Sequence, residues 1–160
     1  MSTGKQVETI ADLTASTTTS VSYRRGIAEN IDAGALVGGP GMVAVDARYQ
    51  ITSGNRFASA VGAGLAYHEQ PFQSGPHQAT VDLQLPVYSS YELTDAIVVY
   101  YSRKYIVRLV RGSSTDTRHL LGGSGGIRIG RDWGFDLEAD YAFDLEDHAG
   151  TMQLGGSLFF

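Results

Sequence analysis

The 160-residue sequence predicts an all-β domain: an up-and-down antiparallel β-barrel that crosses a membrane with about ten strands, eight being the alternative count. Three observations carry that expectation. Apolar and polar residues alternate with a period of two over most of the chain. The connections alternate between short turns and longer polar loops, as in a meander whose two rims differ. The polar face is poor in bulk, and its charges nearly balance.

The stretch from Met42 to Tyr67 shows the pattern most plainly. Val43, Val45, Ala47, Tyr49 and Ile51 share one parity, opposed by Met42, Ala44, Asp46, Arg48 and Gln50. Ser53-Gly54-Asn55-Arg56 supplies turn chemistry, after which Phe57, Val61, Ala63, Leu65 and Tyr67 oppose Ala58, Ala60, Gly62, Gly64 and Ala66. In chain order the pattern predicts strands at Lys5–Ala15, Thr18–Arg25, Ile31–Gly38, Gly41–Thr52, Phe57–His68, Gln78–Ser89, Ala96–Val110, His119–Gly130, Gly134–Phe143 and Thr151–Phe160. The first is the weakest pattern, because Ala11 to Thr19 is a Thr/Ser-rich run that also suits a loop. Residues 26–30, 53–56, 90–95 and 131–133 are short connections; 69–77, 111–118 and 144–150 are longer and rich in Gly, Ser, Asp, His or Pro. Gly38-Gly39-Pro40-Gly41 is the exception, a tight turn on the loop side.

Composition narrows the class. One domain spanning 1–160 fits the length. A net charge of −5 without any Lys/Arg cluster argues against nucleic acid as a partner. The absence of cysteine removes disulfides and thiolate metal sites. No apolar run approaches the length of about 18 residues that a spanning helix needs, so a membrane role requires strands. The segment Met1-Ser2-Thr3-Gly4-Lys5 has no apolar leader core, and export would imply a leader already removed.

Alternation alone does not say which face points outward: a lipocalin-like barrel hides its apolar face, a membrane barrel shows it to lipid. The aromatics decide for lipid. Tyr49, Phe57, Tyr67, Tyr101, Tyr105, Phe135, Tyr141 and Phe143 sit on the apolar parity, mostly near strand ends, as interfacial girdles do, and Trp133 sits at a turn as an anchor. The polar parity carries small residues such as Gly62, Gly64, Gly122 and Gly126, which leave room for long side chains. Its charges are Arg24, Arg48, Lys104, Arg108 and Arg128 against Asp32, Asp46, Asp82, Asp136, Glu138 and Asp140. Such balance is expected of charges enclosed in a low-dielectric lumen, where they are tolerable only if paired. The expectation is an ion-pair network meeting across the bore and largely plugging it. Arg103 breaks the pattern, falling on the parity of Tyr101 and Tyr105; either a bulge shifts the register there, or the long strand rises past the bilayer and Arg103 snorkels to headgroups.

The last strand, with Leu154, Leu158 and Phe160 at alternating positions and Gly156 where a larger residue is more usual, resembles the C-terminal assembly signal of bacterial outer-membrane β-barrel proteins. That resemblance implies localisation in a bacterial outer membrane, outer-membrane lipids around the wall, recognition by the barrel-assembly machinery during insertion, and turns at the periplasmic rim with loops outside. It identifies no subfamily and no oligomeric state.

The candidate chemistry is sparse. His68, His77, His119 and His148 fall at strand ends or loops of one rim, which raises the alternative of a lipid-directed enzyme such as a hydrolase or acyltransferase. None stands in a His-Glu-x-x-His or Gly-x-Ser-x-Gly context, and no catalytic residue, metal ligand or cofactor is assigned. His148 beside Glu146 and Asp147 would be at most a weak cation site. The function expected is porin-like or structural: a charged, largely plugged barrel or narrow pore, not an enzyme. The remaining alternative is a soluble lipocalin-like ligand-binding barrel.

Overall fold

The computed structural model describes residues 5–12, 17–39, 41–70, 78–111 and 115–159. Ten strands follow one another in the chain: β1 (Lys5–Asp12), β2 (Thr17–Ala28), β3 (Ile31–Gly38), β4 (Met42–Ser53), β5 (Phe57–Gln70), β6 (Gln78–Thr94), β7 (Ile97–Arg111), β8 (Thr115–Gly130), β9 (Gly134–Asp144) and β10 (Gly150–Phe159). Each pairs antiparallel with its sequence neighbours, and β1 pairs with β10, so the sheet closes into a barrel without a free edge. Glu29-Asn30, Gly54–Arg56, Asp95-Ala96 and Arg131–Trp133 form the lower rim. Gly39, Gly41 and residues 145–149 lie at the opposite, upper rim.

The strands run longer than alternation alone predicts, and the reason is pairing. β6 continues through Ser90–Thr94, where a connection was expected: Tyr91 and Leu93 keep the outward parity, and the Glu92 N–H donates to the Arg56 carbonyl at 2.8 Å. β8 begins at Thr115, because Thr115–Arg118 finds a ladder partner in Arg108–Arg111. β2 likewise extends to Ala28 against Ile31, through a register shift at Gly26/Ala28. The predicted end of the first strand, residues 13–15, lies outside the described residues, as do Pro40 and Phe160. Gly41 turns at φ 77°, a left-handed conformation that glycine enters without a Cβ penalty.

The barrel has its apolar face outside. Leu65, Val87 and Leu137 are each 52% exposed, while inward-facing Asp82 and Asp136 are 1% and 3% exposed. The lipocalin-like alternative, which needs the reverse, is corrected by this geometry. The girdle residues Tyr49, Phe57, Tyr67, Tyr101, Tyr105, Phe135, Tyr141 and Phe143 all stand on the outer wall, and Trp133 is exposed in a lower turn. On β10, Leu154 and Leu158 are outward and Ser157 is buried inside.

Candidate functional site in the lumen

The interior charges pair along the wall, not across the bore. Arg24 on β2 binds Asp32 on β3 and reaches over β3 to Asp46 on β4, with Nη2 2.6 Å from Asp46 Oδ1. It can do so because Gly34, which pairs with both Arg24 and Asp46, has no side chain in the way. A Cβ there would stand 2.7 Å from Arg24 Nη2 and 2.7 Å from Asp46 Oδ1.

The same device recurs around the barrel. Arg48 on β4 pairs with Gly62 on β5 and lays its guanidinium on the Tyr88 ring of β6, 4.2 Å from the centroid; a Cβ at Gly62 would stand 3.3 Å from that ring. Tyr100 on β7 crosses Gly126 on β8 and hydrogen-bonds Glu138 on β9; a Cβ at Gly126 would stand 2.5 Å from the Tyr100 hydroxyl. Lys104 on β7 lies over Gly122 on β8 and reaches Asp140 on β9 at 3.5 Å. Gly34, Gly122 and Gly126 are therefore slots, each letting one long side chain bridge to a strand beyond its neighbour.

Two further pairs need no slot, because their members face each other on adjacent strands. Arg108 grips Asp82 through Nε at 2.8 Å and Nη2 at 2.7 Å. Arg128 grips Asp136 at 2.8 and 2.9 Å, and Ser157 of β10 donates to the same carboxylate. Both are fork-on-carboxylate contacts, the strongest ion-pair geometry available. Between these pairs the buried hydroxyls of Ser102 and Ser124 bond each other at 2.9 Å.

All eleven lumen charges expected from parity are thus inside, but the expected crossing of the bore is corrected. A side chain can bridge one strand's width along the wall more readily than the whole diameter, so the centre stays open. A cavity of about 500 Å3 occupies it, lined by Arg48, Tyr88, Tyr100, Lys104, Arg128 and Glu138 among others. A second space of about 230 Å3 adjoins Arg24, Arg48 and Tyr88. Within this lining Arg48 keeps one unmet donor: its buried Nε makes no hydrogen bond, and Asp46 Oδ2, already held by Arg24, is 3.4 Å away. Tyr88 and Tyr100 were absent from the expected charge network, although both lie on the inner parity with Asp82 and Lys104; a search limited to charged residues passes over phenols.

The upper rim gathers around Arg118, which binds Asp116, Asp144 and Asp147. Asp144 caps the turn that follows it: the Glu146 and Asp147 N–H groups donate to its Oδ1 at 2.9 and 3.2 Å. Those donors, with Arg118 adding to them, hold the Asp144 carboxyl below the usual carboxylate range. The described histidines do not converge. His68 faces inward, 3.6 Å from Asp82; His119 faces outward, its Nδ1 2.5 Å from the Tyr105 hydroxyl; His148 tilts against Phe143. His77 lies outside the described residues. Asp147, the expected neighbour of a cation at His148, is taken by Arg118.

No protein-family model matches the chain, and no curated protein does. Solved structures do. The NanC porin superposes with a TM-score of 0.59 at 9% identity, covering 99% of this chain and 98% of that one. The fold is that of a small outer-membrane β-barrel. The outer-membrane enzyme PagL aligns at TM-score 0.49 and 10% identity over 98% of both chains. The N-terminal barrel domain of Pseudomonas aeruginosa OprF aligns at 0.32 and 9%, over 99% of this chain and 96% of that one. At these identities the likeness to NanC speaks for the outer-membrane barrel fold, and the lumen itself must speak for the role.

Proposed function

We propose that the protein is a narrow, water-filled pore for ions and small hydrophilic solutes in a bacterial outer membrane. The observation that supports this reading most is the placement of the ion pairs along the wall around a cavity of about 500 Å3. A lumen built only for rigidity would be filled by its own side chains. Here the bridging side chains lie flat over glycines, and the space they leave is lined by Arg48, Lys104, Tyr88, Tyr100 and the Ser102/Ser124 pair, all able to hydrogen-bond water or a polar solute. On this reading outer-membrane lipids contact the apolar wall, and the assembly machinery recognises β10. Among the described residues His68 and His119 lie on opposite faces of the wall and do not form one site.

Planar-bilayer recording tests the proposal. Protein shown to be folded by a boiling-dependent gel shift is expected to give small, discrete current steps. Folded protein that inserts and carries no current would sink it.

A further inference from the structure

The two spaces in the bore are stacked along it, and a small group of side chains stands where they meet. Along β4, which runs down from the upper rim, Ala44 and Asp46 line the smaller space of about 230 Å3 alone, and Gln50 lines the larger one of about 500 Å3 alone. Along β5, which runs back up, Ala58 and Ala60 belong to the larger space, Gly64 and Ala66 to the smaller. The boundary on both strands is therefore the level of Arg48 and its ladder partner Gly62. Among the described residues only Arg48, Gln84, Pro86 and Tyr88 line both spaces.

These residues narrow the bore from one side. Arg48 reaches from β4 to the Tyr88 ring of β6, and Pro86 and Tyr88 stand on the lumen side of Gly62, where a Cβ would lie 3.2 Å from Pro86 Cγ and 3.3 Å from Tyr88 Cε2. Pro86 is itself unusual in a central strand, because proline has no N–H to give to a neighbour. The β5–β6 ladder accordingly passes from Val61 and Val87 to Gly64 and Gln84 without pairing the residues between. What the wall gains at that gap is a buried, rigid ring on the same face as Tyr88. A solute moving between the spaces passes these side chains, of which Arg48 and Tyr88 are the longest.

We propose, resting on the reading of the barrel as a pore, that the Arg48–Tyr88 contact is its constriction and sets what passes. The solutes it favours are small ones bearing hydroxyl or anionic groups. A guanidinium and a phenol can hydrogen-bond such groups as they shed water, whereas a fixed positive charge at the narrow point opposes cations. The nearest carboxylate, Asp46, is already held by Arg24.

Liposome swelling in a graded series of sugars from glucose to maltoheptaose reads the size cut-off, with every barrel shown to be folded by the boiling-dependent gel shift. Arg48→Ala/Tyr88→Ala is expected to admit a larger sugar than the unaltered chain. Gln50→Ala, which widens the larger space alone, is expected to leave the cut-off in place. The chain has no cysteine, so Arg48→Cys gives a second measurement made within one open channel. An ammonium-bearing methanethiosulfonate reagent should step its current down, and a reducing agent should restore it. A cut-off unchanged in the double variant, a cut-off moved equally by Gln50→Ala, or a current that the reagent leaves untouched overturns the constriction while the pore stands. If the unaltered barrel is sealed and the double variant conducts, the pore reading falls and the constriction stands. Barrels sealed with and without the two side chains overturn both.

Discussion

If the inner glycines are slots for bridging side chains, filling one should break a named bridge, and Gly126 is the sharpest case. A methyl group there would meet the Leu137 carbonyl at 2.5 Å and the Tyr100 ring carbon and hydroxyl at 2.5 Å, about 1 Å inside ordinary contact. Rotation of Tyr100 relieves only part of this, because the Leu137 oxygen belongs to the paired backbone of β9. Overpacking of this kind costs about 1–3 kcal/mol. Displacing Tyr100 from Glu138 loses a hydrogen bond to a charged group, about 1.5–3 kcal/mol. Alanine returns about 0.5–1 kcal/mol by restricting the unfolded chain. Gly126→Ala should therefore destabilise the barrel by about 2–5 kcal/mol. Gly156→Ala is the control, since its Cβ would meet the Asp136 carbonyl at 3.5 Å and Leu137 at 3.7 Å, ordinary distances. The assay is reversible urea unfolding from phosphatidylcholine vesicles, followed by the fluorescence of the single tryptophan, Trp133. Adding Tyr100→Ala to Gly126→Ala should restore only part of the loss. A Gly126→Ala barrel within about 0.5 kcal/mol of the Gly156→Ala barrel would refute the slot argument.

Three more outcomes follow from the same geometry. Arg108→Ala strands the Asp82 carboxylate, whose side chain is only 2% exposed, and should cost about 3–5 kcal/mol in urea unfolding, toward the lower end because Arg108 itself is partly exposed. Removing both partners with Arg108→Ala/Asp82→Ala should recover most of that loss, and a double variant no better than the single one would count against the pairing. Arg48→Ala deletes a cation that lines the cavity, so the reversal potential across a KCl gradient should move toward cation preference; an unchanged potential would remove Arg48 from the conduction path. The Asp144 carboxyl, held down by the Glu146 and Asp147 amides, contributes stability that is present above the ordinary carboxylate pKa of about 3.9 and lost only as pH falls through the lower folded value. Amide exchange at Glu146 and Asp147 should therefore stay slow below the ordinary range, and protection lost by pH 5 would contradict the cap.

Much of this barrel is written in parity. A strand has a side-chain period of two, so Val43 to Ile51 and Asp46 to Gln50 separate onto opposite faces whatever the neighbouring strands do. That rule, with turns such as Gly54–Arg56 and girdle residues such as Phe57 and Phe143, was enough to predict ten strands, an apolar exterior and the eleven interior charges. What parity does not carry is which residue lies beside which two strands away. The partner of Arg24 depends on the register of β2, β3 and β4 together, and only that register puts Gly34 between Arg24 and Asp46. The same holds for Tyr100, Gly126 and Glu138. Strand length follows likewise from pairing, as the Glu92 to Arg56 bond shows for β6.

The sequence by itself thus determined the fold class, the two faces and the identity of the charged residues, because these depend on local alternation and composition. Closure and register decided the rest: that the charges bridge along the wall and leave a cavity, and that the described histidines stay apart. Each of these depends on distances between strands remote in the chain, which no local pattern encodes.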